Sequence, residues 1–382
     1  MNKKLVAALV AGAFVAPLAQ AAEGSNVTLY GIAQVAFSHW DNGSSTKKHG
    51  LEDTGSRIGF KGEEVLGGGM KAFFQIESSA SLDQGGGTFA SREGWVGLKG
   101  GFGGVQLGRG KSLFDLAQEA FDPFNSNSTL INTLQVDGTY YRVNNTIRYT
   151  LPAFAGFSGG VEYGDMEGKG TQGTQGVKPA FYSASLRYEN GPLFVQTGYE
   201  HLKEVSGGPQ TETAGAIPGL KGDSYIIGAG YTLPFGLGLQ AAYRHMERKV
   251  SGAPYGISGT AKIKRDTFLA NAQQSFGPVT LKLGFVQAGN LKGCGSVCST
   301  DTIAADGTQY NVTKGARWYT AAAEYAFSKR TWVYLEHATA DNKSNSGLFK
   351  TSAGSVAVDT VGGVGLGGKD NKTTSLGIIH LF

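Results

Sequence analysis

The chain has 382 residues, of which 60 are glycine and only 17% are charged, with a formal net charge of +4. Glycine is about double its ~7% usual share and charge falls short of the usual ~25%, and the near-neutral balance offers no basic surface on which to expect nucleic acid. No stretch beyond the first 21 residues approaches the ~18 consecutive apolar residues that mark a membrane helix, so helical spans are excluded.

Residues 1–21 read as a secretory signal peptide: Lys3 and Lys4, an uncharged and mainly apolar run from Leu5 to Ala19, and the small-x-small site Ala19-Gln20-Ala21. The apolar run is shorter than the ~20 residues a spanning helix needs. Cleavage would remove two lysines and leave residues 22–382 as one domain, because no linker or composition shift divides them. No room remains ahead of Asn26 for a separate plug.

From Val27 onward the dominant pattern is alternation. Tyr182, Ala184, Leu186 and Tyr188 stand opposite Ser183, Ser185 and Arg187; Val279, Leu281, Leu283 and Phe285 stand opposite Thr280, Lys282 and Gly284. Tyr225, Ile227, Ala229 and Tyr231 repeat the pattern, as do Leu239, Ala241 and Tyr243. Period two marks strands with one apolar and one polar face. Such strands suit a soluble sandwich, with the apolar face inward, or a membrane barrel, with it outward.

The connections discriminate. Tight turns fall at 66–69, 100–103, 152–156, 190–192, 233–236, 276–278 and 328–330. Between them lie longer polar stretches at 40–53, 80–88, 110–141, 167–179, 203–222, 251–262, 291–314 and 341–372. Seven short turns alternating with eight long loops imply a 16-stranded antiparallel transmembrane β-barrel, short turns periplasmic and long loops external. Trp40, Tyr149, Phe235, Phe276 and Phe327 near strand ends suit interfacial girdles. The loop at 110–141 is unusually long, and loops of that length are usually functional. It carries Asp115, Glu119, Asp122 and Asp137 and is expected to fold into the barrel mouth and set the pore's width and charge. Asp115 and Glu119, four apart, are expected on one face of a short helix.

Cys294 and Cys298 are the two cysteines. In an exported chain they read as a small loop-tip disulfide; the metal alternative lacks a second ligand pair. The six histidines show no His-Glu-x-x-His spacing, and no motif calls for a cofactor. Phe382 ends an alternating strand and resembles the terminal aromatic by which barrel-assembly machinery recognises outer-membrane proteins, although His380 stands where an apolar residue is usual.

Thr28-Leu-Tyr-Gly31, Ser56-Arg-Ile-Gly-Phe-Lys-Gly62, Leu66-Gly-Gly-Gly-Met-Lys-Ala-Phe-Phe-Gln-Ile-Glu77, Trp95-Val-Gly-Leu-Lys-Gly-Gly-Phe-Gly103 and Leu107-Gly-Arg109 follow one another in an order that resembles the general trimeric Gram-negative porins, particularly the beta-proteobacterial branch. The resemblance covers essentially the whole mature chain. It implies a water-filled homotrimeric barrel, embedded among outer-membrane lipids and lipopolysaccharide, that passes ions and small hydrophilic solutes. It also implies a third external loop that folds inward, its carboxylates faced by arginines on the opposite wall. The matching wall positions are Arg57, Arg92 and Arg142; the loop acids are Asp115, Glu119 and Asp122, where Asp122-Pro-Phe124 only loosely matches the Pro-Glu-Phe of many relatives. Lys61, Lys71, Arg109 and Arg148 are further lumen candidates.

An arginine suits this task because it stays charged and forks its hydrogen bonds, and rings of charge set selectivity at a constriction. Basic wall positions outnumber loop acids, which favours a weak anion preference. The alternatives are a substrate-selective channel, which would show an aromatic track along the lumen, and a barrel adhesin. An outer-membrane hydrolase would need a Ser-His or Asp-His set at the rim, and no such set is assignable from sequence.

Overall fold

The computed structural model describes residues 26–41, 43, 47–124, 142–165, 180–203, 221–251, 260–293, 301–303, 309–311, 315–342 and 370–382. The alternating segments are realised as strand after strand. The first six are β1 (Asn26–Asp41), β2 (Lys47–Asp53), β3 (Arg57–Gly67), β4 (Met70–Ser79), β5 (Gly94–Gly100) and β6 (Gly103–Lys111). A short helix, α1 (Leu113–Glu119), precedes β7 (Arg142–Thr150), β8 (Phe157–Asp165), β9 (Ala180–Asn190) and β10 (Leu193–Lys203). Then follow β11 (Lys221–Thr232), β12 (Gly238–Ser251), β13 (Thr260–Phe276) and β14 (Val279–Ala288). A small hairpin, β15 (Asp301–Ile303) and β16 (Gln309–Asn311), is a separate sheet, and β17 (Ala316–Ala326), β18 (Thr331–Asp341) and β19 (Asn371–Leu381) complete the wall.

Each wall strand pairs antiparallel with its neighbours, and β19 returns to pair with β1 over Ile32–Asp41. β2 and β3 pair with successive halves of β1 and occupy one place in the wall, so the seventeen strand segments form a closed barrel of sixteen positions. The closure ends at Phe382, whose backbone N–H and carbonyl both pair with Gly31 at 3.2 and 3.0 Å. Closure removes the sheet edges that an open sheet would expose.

The two faces decide the solvent. Ile227, Phe268, Leu281, Leu283, Leu335 and Leu376 point outward and are exposed, while Glu77, Arg148, Glu162, Glu200, Arg244, Arg265 and Lys282 point inward and are buried. A soluble protein would reverse that assignment; an apolar exterior around a polar interior belongs in a bilayer. All seven tight turns predicted from sequence join successive strands. The strands run further than the polar stretches suggested. Residues 40–53, read as a loop, are largely β1 and β2, and residues of 203–222 and 251–262 extend β10 to β13. Trp40 also departs from expectation: it shares the parity of Gln34 and Ser38, points inward and is fully buried, whereas Phe235, Phe276 and Phe327 are exposed as girdle residues should be.

α1 lies inside the barrel. Ser112 caps it, its hydroxyl accepting from the Asp115 N–H at 3.0 Å, and Asp115 in the first turn complements the helix dipole. Two further N-terminal amides bond to the wall: Leu113 N–H donates to Glu162 Oε2 at 3.0 Å and Phe114 N–H to Ser183 Oγ at 2.8 Å. Beyond the helix the Phe121 carbonyl accepts from the Asn271 side chain. Phe114, Ala117, Phe121 and Phe124 then pack on Ile226, Leu269, Val286 and Trp318 of the inner wall, making an apolar patch in a mainly polar lumen.

The wall is indented for this segment. A Cβ at Gly198 would stand 2.7 Å from Ala117 Cβ, and one at Gly284 2.7 Å from Phe124 Cε2. Gly198→Val is therefore expected to displace α1 at a cost of about 1–3 kcal/mol, typical of overpacking. Since the neighbours at Gly198 are side chains and not the ladder backbone, the barrel should stay folded while single-channel conductance changes. Unaltered conductance in a folded Gly198→Val protein would count against the docked position of α1.

Candidate pore constriction

Opposite the docked helix, β3 to β7 and the segment before β5 gather charged side chains around one recess. It is lined by Arg57, Gln75, Glu77, Arg92, Glu93, Trp95, Lys111, Leu116, Glu119, Arg142 and Arg148. Strand parity explains the convergence: Gly59 faces Glu77 and Lys61 faces Gln75 across β3 and β4, Gln75 faces Trp95 across β4 and β5, and all point inward.

Two wall carboxylates organise the cations. Glu77 accepts from Arg92 Nε at 2.6 Å and from the Tyr30 hydroxyl at 3.0 Å, with Arg57 Nε at 4.0 Å. Gln75 Nε2 donates to the same tyrosine at 2.6 Å. Glu93 pairs with Arg142 Nε at 3.4 Å and accepts from the Lys111 backbone N–H at 3.3 Å. Arg148 bonds to Glu162 at 3.0 Å and lies over the Trp95 ring, 5.8 Å from its centroid. Charge-assisted pairs of this kind fix long side chains that would otherwise sweep the lumen.

The structure brings Arg57, Arg92, Arg142, Arg148 and Glu119 together at this recess. Among the described residues, Arg57 and Arg92 pair with Glu77 and Arg142 with Glu93 of their own wall, and the described loop carboxylate in the lining is Glu119, which pairs with Lys111 of β6. Asp115 is buried and outside the lining. The helix face toward the recess runs through Leu116 and Glu119, and Asp115 sits past its edge, toward the wall. Asp122 also lies off the lining and accepts from the Phe124 N–H at 2.9 Å, closing a local turn ahead of the buried Phe124 ring.

Of the further candidates, Lys61 and Lys71 point inward but nearer the periplasmic turn. Lys61 stands over the Tyr30 ring and Lys71 pairs with Glu63 at 3.2 Å. Arg109 is held at the external side by the Ser91 carbonyl, at 3.1 Å, and by the Asn144 side chain. Cys294 and Cys298 lie outside the described residues, as does Asp137. Glu77, Glu93, Lys111 and Trp95 were missed by sequence reasoning. The parity of Lys71, Gln75 and Glu77 on one strand was the available signal for Glu77; no comparable signal marked Glu93, which precedes its strand.

The Gram-negative porin family matches residues 6–345. Major outer membrane protein P.IB of Neisseria gonorrhoeae is 30% identical over 347 residues, covering 87% of this chain and 91% of that protein. Its Neisseria lactamica counterpart is 29% identical over 368 residues, covering 94% and 99%. Among solved structures, the anion-selective porin from Comamonas acidovorans superposes with a TM-score of 0.73 at 25% identity, covering 94% of this chain and all of that one. OmpT of Vibrio cholerae in its trimer form shares the fold, with a TM-score of 0.62 at 15% identity over 94% of this chain and 100% of that one. With a family model matched over most of its length and a closed barrel that is apolar outside and charged within, the chain belongs to the Gram-negative porin family: it is an outer-membrane porin, a passive channel.

Proposed function

We propose that the protein is a homotrimeric general diffusion porin with a weak preference for anions. The observation that carries the preference is the lining itself, in which Arg57, Arg92, Lys111, Arg142 and Arg148 outnumber Glu77, Glu93 and Glu119. The likeness to the anion-selective Comamonas porin supports the same sign, and the trimeric form of the Vibrio OmpT supports the assembly. Residues 1–21 act as a cleaved export signal, Phe382 as the handle for barrel-assembly machinery, and the mature barrel sits among outer-membrane lipids and lipopolysaccharide. The channel is non-enzymatic on this reading, in keeping with the family and with its outer-membrane relatives.

Purified protein in planar bilayers should give stepwise, ungated conductance increments, and unheated samples should run as a trimer that dissociates on boiling. Protein that folds yet conducts no ions would overturn the porin reading; conduction by a species that runs only as a monomer would overturn the trimer.

A further inference from the structure

On the outer face of the barrel, β10 to β13 carry four lysines in one register row. Lys203 faces Lys221, Lys221 faces Lys249, and Lys249 faces Lys262. The row shares the parity of Ile227 and Phe268, which are exposed, whereas the alternate parity holds Ile226, buried against the docked loop. All four therefore point away from the lumen. They stand at the strand ends next to the long connections, which places them at the external rim.

Neighbouring strands lie only about 4.8 Å apart, and like charges directly opposite one another destabilise a sheet. Elsewhere at the described rim facing cations are balanced by carboxylates: Lys111 and Arg142, which also face one another, are held by Glu119 and Glu93. Asp41 faces Lys47 on one side and Lys372 on the other, and Arg317 faces Asp341. In the lysine row only Lys262 has a carboxylate partner among the described residues, Glu247 at 2.5 Å, and Glu247 also holds Lys264 at 2.8 Å.

The rows beneath fix the depth. Directly below are His201, Asp223, Glu247 and Lys264; below them Tyr199, Tyr225, His245 and Asp266; then Thr197, Ile227, Tyr243 and Phe268. Tyrosines of this kind mark the membrane–water interface. The lysine row stands two rows above the Tyr199–Tyr225 level, roughly 14 Å up the strands at ~3.4 Å per residue, where lipid phosphates lie. Lysine ammoniums are compact point charges on flexible stems, suited to phosphate groups that approach from several directions.

We propose that Lys203, Lys221 and Lys249 form a docking row for the phosphorylated headgroup of the outer-leaflet glycolipid, the anion supplying the charge that the rim leaves unbalanced. This rests on the outer-membrane lipopolysaccharide environment proposed above and adds the site. A basic side chain near an anionic surface contributes about 1 kcal/mol, so losing three should weaken headgroup binding by at least about tenfold.

The test uses folded trimers in phosphatidylethanolamine nanodiscs doped with bisphosphorylated lipid A. Retained lipid A is measured by native mass spectrometry for wild type, the triple variant Lys203→Gln/Lys221→Gln/Lys249→Gln, the matching triple Arg variant, and Lys47→Gln as a rim control. Each sample is also checked for conductance and heat-dissociable assembly. The expected result is at least about tenfold less lipid A on the triple Gln variant, recovery in the Arg variant, little change in Lys47→Gln, and conductance equal to wild type in all. Excess inorganic phosphate should not displace the lipid, since a free ion lacks the acyl anchorage. Equal retention by wild type and the triple Gln variant would overturn the proposal. So would unchanged lipid A with loss of the trimer band, which would make the row a contact between copies. Wild type that conducts normally but retains no more lipid A than phosphatidylethanolamine would overturn the docking row and leave the porin reading intact; wild type without conductance would strike the porin reading itself.

Discussion

Phe121→Ala is expected to undock the lumenal loop while leaving the barrel closed. The Phe121 ring is fully buried among Phe114, Phe124 and Ile226, with the Phe194 ring 5.7 Å away. Truncating a buried phenylalanine costs about 3–5 kcal/mol, and here that cost falls on docking, because no rung of the wall's hydrogen-bond ladder passes through the loop. The other described anchors are polar: Glu162 and Ser183 on the first helical amides, Lys111 on Glu119, and Asn271 on the Phe121 carbonyl. Limited proteolysis should cut the variant between residues 110 and 124 faster than wild type, and open-channel current should become noisier with a higher mean. A variant as resistant and as quiet as wild type would show that the aromatic patch does not hold the loop.

The double variant Arg92→Ala/Arg142→Ala is expected to abolish the anion preference, and Glu77→Gln to strengthen it. In bulk-water dielectric a unit charge about 7 Å from a permeating ion interacts by about 0.6 kcal/mol. That is roughly RT, a factor of about three in ion occupancy for each charge. Two arginines removed leave the described lining near neutrality, so the anion-to-cation permeability ratio should fall by more than about tenfold; one carboxylate neutralised should raise it about sevenfold, because anion and cation occupancies move in opposite directions. The barrel should tolerate both changes. Without Arg92, Glu77 keeps Arg57 and the Tyr30 hydroxyl, and without Arg142, Glu93 keeps the Lys111 backbone N–H. Shifts of the same sign in both variants, measured as permeability ratios in asymmetric salt, would contradict the electrostatic account.

The wall was largely legible in the amino-acid sequence, because period-two alternation and turn chemistry are local. Tyr225, Ile227 and Leu283 declared their face by what stood between them, and six of the seven tight turns hold a glycine, proline or asparagine, the turn at 328–330 (Ser-Lys-Arg) being the exception. Strand length was less legible. Polar residues such as Lys47, Lys221 and Lys262 look like loop, but a barrel taller than its apolar band continues as polar strand into the headgroups. Trp40 was misplaced because an aromatic near a strand end suggests a girdle residue, whereas its parity with Gln34 and Ser38 turns it inward.

The candidate site was half legible. Arg57, Arg92 and Arg142 came from resemblance, and they do meet at one recess. Their partners were not visible, since pairing across a closed wall depends on register that no local pattern encodes: Glu77 and Arg92 stand fifteen positions apart yet bond at 2.6 Å. Asp115 and Glu119 illustrate a different limit. Spacing of four places two side chains on one side of a helix, but in a helix of seven residues, the wall decides which edge of that side looks at water. Docking on Glu162 and Ser183 turned Leu116 and Glu119 to the lumen and Asp115 away.

The central claim, that a bank of wall-anchored arginines opposite a docked loop sets the charge of a water-filled pore, is tested most directly by the zero-current potential across a bilayer in a potassium chloride gradient. Wild type should give the sign of preferential chloride flow, and Arg92→Ala/Arg142→Ala should bring the potential to zero or past it. A wild-type potential of the cation-selective sign, or a double variant indistinguishable from wild type, would contradict the account.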